Sequence, residues 1–487
     1  MTPIDVGPFA AHWEVALPGL LVAATAMLVM VADLVSTDPD RESLAGVALV
    51  GLATAAGAAL WLWAGGNGAG GFGETLRADR YALFFALLLI AATALTILLS
   101  VDFLRLHALP AGEYYALMLL STSGMVFMAA ANDLIVIFLA LEIMSVAVYV
   151  LVGMLRREVR SNEASLKYFL LGAFATGFLL YGIAFFYGAT GSTRLDVVAQ
   201  AVARDGLTPF LLLGLALVLV GFGFKVALIP FHVWTPDVYE GAPTAVTAFM
   251  AVGVKAAAFA AFARVFAGAL VSVAASWTGV LWVLAALTMT VGNVGAVTQR
   301  NVKRMLAYSS IAHAGYALVG LVTATKAGEA ALLYYLVVYA VMNLGAFGVL
   351  IALGRRGEPN EMLQDFAGVG FRQPVLGLTM AVFMLSLAGI PPTAGFAGKF
   401  YLFSAAVDAG YVGLAVIGVL NSVISVYYYL GVLVQMYMTE GTRPIDAPAT
   451  RPYLLATILF AGVATLLLGV FPSGTMELAR VSVASLR

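Results

Sequence analysis

The chain has 487 residues, 62% of them hydrophobic and only 10% charged, with a formal net charge of -1 and a mean hydropathy of +0.99. A soluble domain carries about 25% charged residues, so this composition excludes one and indicates a polytopic membrane protein. With no cysteine, thiolate-bound iron–sulfur clusters, disulfides and thiol redox centres on this chain are excluded as well.

A window of about 20 apolar residues predicts spans near 14–35, 44–64, 81–101, 114–130, 133–154, 166–188, 209–234, 244–268, 277–297, 304–323, 329–353, 374–408, 412–438 and 452–471. That is an all-α fold of about fourteen transmembrane helices. Such continuous runs exclude a β-barrel, whose strands alternate over about ten residues. The first twelve residues lack Lys and Arg, and the first run is long enough to span, so it is read as an uncleaved insertion signal.

Loops after odd-numbered runs hold fourteen of the 25 Lys and Arg residues, among them Arg41, Lys303, Arg356 and Arg443. Loops after even-numbered runs, with the termini, hold eight, among them Arg264 and Arg487. Cytoplasmic loops are enriched in Lys and Arg, so both termini are expected on the outer face. The basic cluster at 156–169 reads as a cytoplasmic anchor and not as a nucleic-acid patch. The glycine-rich GGNGAGGFGE at 65–74 reads as a flexible connector, and 354–374 as an inner loop with a short amphipathic piece on the membrane or a neighbour. Trp61, Trp63, Trp234 and Trp277 fit a headgroup belt or subunit packing. His12 and His107 fall at or outside span ends.

The informative residues are ionisable groups inside the runs: Glu142, Lys225, Lys255 and Lys399, joined by His313. A Lys or Asp at a helix centre costs about 2.5–3.5 kcal/mol on the insertion scale, so such groups usually face a protein interior or a wet cavity. Any one of them could snorkel or serve as glue between helices. A set of one carboxylate, three ammoniums and an imidazole reads as a proton relay. Burial disfavours an ammonium and a nearby carboxylate restores it, so moving a carboxylate such as Glu142 relative to Lys225 can load or unload a lysine.

Pro230 removes a hydrogen bond five residues after Lys225, and Pro391 and Pro392, with Gly389, Gly395 and Gly398, interrupt the run before Lys399. Spans seven and twelve are therefore expected to be broken helices. An offset of five reverses the direction of entry, as two inverted five-helix repeats require (spans 4 to 8 and 9 to 13). The predicted organisation is an N-terminal three-helix segment (1–113), a first repeat (114–268), a second inverted repeat (277–438) and a C-terminal helix (439–487).

KVALIPFHVWTPDVYEGAPTAVTAFMAVGVK, from Lys225 to Lys255, resembles the signature of the antiporter-like, proton-pumping membrane subunits of respiratory complex I, which are similar to subunits of multisubunit cation/proton antiporters. YEGAPT and LAGIPPTAGFAGKFYLF (387–403) resemble the N-type branch of bacterial NADH-quinone oxidoreductase, as does lysine at 399, where the M-type branch usually has glutamate. The resemblance implies a proton path along a central hydrophilic axis through Glu142, Lys225, Lys255 and Lys399, with His232 and His313 at less strictly assigned polar positions. It implies no cofactor or metal on this chain, with NADH, FMN, iron–sulfur clusters and quinone on other subunits. It also implies a bacterial inner-membrane setting, M-like and K/J/A/H-like membrane neighbours, and protons and internal water as what moves. Three other readings stay open: a subunit of a cation/proton antiporter, a subunit of a related membrane-bound hydrogenase, and a non-pumping structural subunit.

Overall fold

The structure, a computed structural model, describes residues 12–36, 42–66, 68, 70–355, 360–441 and 451–486. Arg41, Arg356, Arg443 and Arg487 of the charge count lie outside the described residues, as do residues 1–11 before the first span and parts of the 65–74 and 354–374 loops. The chain runs through Leu17–Val35 (α1), Glu42–Gly65 (α2), Arg80–His107 (α3), Ala111–Ala130 (α4), Leu134–Val152 (α5) and Val159–Thr190 (α6). A short helix, Leu195–Asp205 (α7), precedes Pro209–Val226 (α8), Thr235–Gly241 (α9) and Thr244–Ala269 (α10). Then follow Ala274–Val297 (α11), Val302–Val322 (α12), Lys326–Leu353 (α13), Pro374–Ala388 (α14), Ala394–Asp408 (α15), Val412–Met438 (α16), Pro452–Val470 (α17) and Ser473–Val483 (α18).

Lipid offers no hydrogen bonds, so a spanning backbone must satisfy its own groups, and helices do so within one segment. Among the described residues, twelve helices are long and apolar enough to cross a membrane. Several extend past the predicted runs: α3 continues to His107 and α6 begins at Val159, because polar turns outside the hydrocarbon carry no hydropathy signal. Small residues let helices approach closely. A Cβ on Gly182 of α6 would stand 2.9 Å from the Gly214 carbonyl of α8, so that crossing admits no larger residue.

The most hydrophobic stretch of α10 is buried along its whole length, 100%, and those of α12 and α13 by 94% and 83%. In α16 and α17 the share is 33%. The helices carrying Lys255 and His313 are therefore interior struts, whereas α16 and α17 turn most of their surface outward.

The span expected at 209–234 stops as a helix at Val226 and resumes as α9, and the run at 374–408 is two half-helices separated at 389–393. Both interruptions fall where the prolines place them. Four other expectations are corrected. The glycine-rich connector contains a hairpin pairing Gly70–Gly71 with Leu76–Arg77, and Leu76 also bridges to Ala131. Trp234 and Trp277 are not in a headgroup belt: they are 2% and 1% exposed, and their indoles donate to the carbonyls of Phe224 and Leu270. Arg264 and Lys303, counted as loop charges, are buried in ion pairs with Asp79 and Glu361. Residues 360–374 of the inner loop are tied to their own chain, with Leu363 N donating to Arg300 O and Gly368 N to Gln435 O.

Candidate functional site

Lys225 stands at the last turn of α8, where the helix must end. Ala227 adopts φ 63, and the amides of Ala227 and Leu228 return to carbonyls of Phe224 and Gly223. Phe224 O gains a second donor and one more freed group finds a partner: the Trp234 indole donates to Phe224 O at 3.1 Å, and Ile229 N donates to Thr288 Oγ1 at 3.0 Å. The break is thus satisfied without the lysine. Lys225 is 2% exposed and its Nζ has no hydrogen-bond partner among the described residues. It lies 5.4 Å from the ring centres of both Tyr149 and Tyr168, within range for cation–π attraction.

Glu142, at the middle of α5, is half-buried and its Oε1 also lacks a partner among the described residues. No ion pair joins it to Lys225 among the described residues. The two interact at longer range, with Tyr149 feeling both groups.

Lys255 sits midway along α10, beside a π-helical turn at Met250–Val254. Such turns are uncommon and often mark functional positions. It is 3% exposed; Nζ donates to both the carbonyl and the hydroxyl of Ser310 on α12 and lies 5.8 Å from the Tyr339 ring of α13.

His313 is one turn further along α12. Its Nδ1 is 2.6 Å from the Tyr335 hydroxyl and its Nε2 3.1 Å from the Tyr429 hydroxyl, which in turn meets Ser309. Its ring packs on Tyr316 and Tyr339, with centroids 5.5 and 5.2 Å away, and it interacts electrostatically with both Lys255 and Lys399.

Lys399, on α15, reaches back across the second break. Nζ donates to Leu387 O at 3.0 Å and Ala388 O at 3.1 Å, the carbonyls that α14 leaves without helical partners, and lies 4.6 Å from the Tyr316 ring. A cation at a helix C-terminus is also favoured by the helix dipole. Gly389 makes the reach feasible: it takes φ 86, and a Cβ there would stand 2.9 Å from Lys399 Cδ.

The six candidates therefore fall into three places. Lys255, His313 and Lys399 share one polar line through Ser310, Tyr339, Tyr335 and Tyr316. Lys225 and Glu142 form a second group around Tyr149 and Tyr168. His232 lies half-buried inside the first break, its Nδ1 without a partner among the described residues, and it joins neither group. The tyrosines and Ser310 were missed as candidates, although Tyr335 and Tyr339 are four residues apart on one helix face. Among the described residues no three His, Asp or Glu side chains cluster closely enough to hold a metal ion.

Residues 131–425 match the family NADH:quinone oxidoreductase/Mrp antiporter, TM. NADH-quinone oxidoreductase subunit N of Trichlorobacter lovleyi is 48% identical over 473 residues, covering 96% of each chain. Subunit N 2 of Roseiflexus castenholzii is 45% identical, covering 98% of this chain and 97% of that one. Among solved structures, a chain of respiratory complex I from Thermus thermophilus superposes with a TM-score of 0.79 at 37% identity, over 94% of this chain and 98% of that one. A chain of the Mrp complex from Dietzia, at 24% identity and a TM-score of 0.84 over 97% of each, shares the fold. Near-full-length identity to N subunits, together with the family match across both helix breaks, shows that this chain belongs to the N-subunit family of NADH-quinone oxidoreductases.

Proposed function

We propose that this chain is a proton-translocating membrane subunit of a bacterial NADH-quinone oxidoreductase, moving protons through buried Lys, Glu and His side chains while redox chemistry proceeds on other subunits. The observation that carries the reading is the line Lys255, Ser310, Tyr339, His313, Tyr316, Lys399 inside helices that other helices surround. Ionisable groups are retained at such depth when they face a pathway. Hydroxyl and imidazole groups between two amines provide donors and acceptors over which a proton and bridging water can move.

The twelve long apolar helices, with α4 and the half-helix pair α14 and α15, support a count of fourteen spans. The two breaks, five spans apart and each with its own lysine, support two inverted repeats with the limits 114–268 and 277–438, preceded by 1–113 and followed by 439–487. The charge bias supports an inner-membrane orientation with both termini outside. In this reading a signal arriving through M-like and K/J/A/H-like neighbours changes the distance between Glu142 and Lys225. Lys225 then releases its proton towards Lys255 and Lys399, and His232, outside both groups, has a lesser part. NADH, FMN, iron–sulfur clusters and quinone belong to other subunits.

The test is proton pumping by inverted membrane vesicles carrying Lys225→Ala, with quinone reductase activity and complex assembly measured alongside. The reading predicts an assembled complex with pumping reduced by about a hundredfold or more, the lower end for loss of a positioned proton-transfer group. Normal pumping by an assembled complex contradicts it.

A further inference from the structure

The polar line begins at Lys255, deep in the protein, and needs a way in from the cytoplasm. A cavity of about 290 Å³ opens on the face that the charge bias assigns to the inside, between the ends of α3, α12 and α13 and the turn joining α9 to α10. That is room for several water molecules. Its wall includes Glu361 and Lys303, whose side chains are 11% and 4% exposed and 3.1 Å apart. The pair is anchored on every side. Lys303 Nζ donates to Ala242 O at 2.7 Å; Thr244 Oγ1 donates to Glu361 Oε1 at 3.3 Å, and Asn301 Nδ2 to Oε2 at 3.4 Å.

Thr244 is the first residue of α10, the helix that carries Lys255. Eleven residues separate them, at most about 16 Å of helix, with the π-helical turn at Met250–Val254 between. Tyr239 lies alongside: Thr247 Oγ1 donates to its carbonyl at 2.8 Å, and its buried phenol lies near Ser310, whose hydroxyl accepts from Lys255. Glu240, another carboxylate of the wall, is already held by Arg304 at 2.6 Å. Glu361 is the carboxylate that touches both the cavity and the start of α10.

We infer that this cavity is the cytoplasmic proton entrance to Lys255, with Glu361 the group that takes the proton from cavity water and Lys303 the counter-ion that positions it. The inference rests on the relay reading of Lys255. In the step, a hydronium ion entering the cavity from the cytoplasm gives its proton to the Glu361 carboxylate, leaving water and weakening the pairing with Lys303. The carboxylic acid then passes the proton along Thr244, Tyr239 and Ser310, with water between them, to a neutral Lys255 amine, and Glu361 returns to the carboxylate.

The experiment measures pumping and NADH-driven quinone reduction in vesicles whose complexes carry Glu361→Gln, Glu361→Asp or Lys255→Ala. A structural pin would favour the isosteric Gln over the shorter Asp, whereas a proton acceptor requires the reverse. The expected result is an assembled Glu361→Gln complex pumping about a hundredfold more slowly, with Glu361→Asp retaining a large part of the rate. Glu361→Gln pumping as well as Glu361→Asp, while Lys255→Ala abolishes pumping, overturns the entrance alone; normal pumping by Lys255→Ala overturns the relay beneath it. Should Glu361→Gln fail to assemble, the lack of native cysteine in this chain allows Leu106→Cys in the cavity wall to be modified with a charged thiol reagent from the cytoplasmic side. Pumping should then fall with the extent of modification of this chain, and unchanged pumping in the fully modified protein overturns the entrance.

Discussion

At the α8 break the Phe224 carbonyl is held by the Ala227 amide and the Trp234 indole, whereas at the α14 break the carbonyls of Leu387 and Ala388 are taken by Lys399 itself. Two interruptions of similar sequence thus leave their lysines in opposite situations. Lys399 is fixed by backbone that has no other donor, so its charge is part of what holds the second break together. Lys225 lies between the rings of Tyr149 and Tyr168 with no hydrogen-bond partner among the described residues, so in the proposed relay its protonation follows side chains that can move, Glu142 among them. The first lysine suits a switch, and the second a fixed end-point of the line.

The largest expected effect from testing this contrast is that of Lys399→Met. It should abolish pumping and also destabilise the assembled complex, by about 1–3 kcal/mol for each orphaned carbonyl, read as a lower thermal midpoint. Lys225→Met should also stop pumping but leave that midpoint unchanged or raised, because it removes a buried cation without orphaning an acceptor. Equal midpoints for the two variants would remove the distinction. Gly389→Ala comes next: φ 86 is unfavourable for a side chain by about 1–2 kcal/mol, and its Cβ would press on Lys399. It should lower both midpoint and pumping, as a weaker form of Lys399→Met.

Trp234→Phe sharpens the comparison further. It removes one of the two donors to the Phe224 carbonyl, at a cost of about 1 kcal/mol, and leaves that oxygen, still bonded to the Ala227 amide, with a spare lone pair beside Lys225. Pumping should fall partway, with the first break made to resemble the second; pumping at the native rate would show that the indole does not keep Lys225 free. The smallest effect is expected for Ala227→Gly. Relief of the left-handed strain at φ 63 offsets the added chain entropy, so the thermal midpoint should move little.

Much of this was legible in the sequence. Continuous apolar runs gave the helices, and Pro230, Pro391 and Pro392 gave the breaks, because hydropathy and a missing amide act locally. The buried charges stood out for the same reason, since a lysine in an apolar run is visible without knowing its neighbours. What the sequence withheld was which helices touch. His313 lying between Lys255 and Lys399 depends on α12 packing against both α10 and α15. The pairing of Lys303 with Glu361 crosses from a helix start to a distant loop, and each half alone reads as an ordinary loop charge. Glu142 and Lys225, expected as partners, meet only at a distance, because Tyr149 and Tyr168 fill the space around the ammonium. Trp234 and Trp277 look interfacial by position, and only their bonds to Phe224 O and Leu270 O give their roles.

The central claim is that protons cross through the line from Lys255 to Lys399, and the most direct measurement is the number of protons pumped per NADH oxidised in vesicles bearing Lys255→Ala, with assembly verified. The account predicts an assembled complex whose proton yield falls, or whose coupled turnover stops. An assembled complex with native turnover and native proton yield would contradict it.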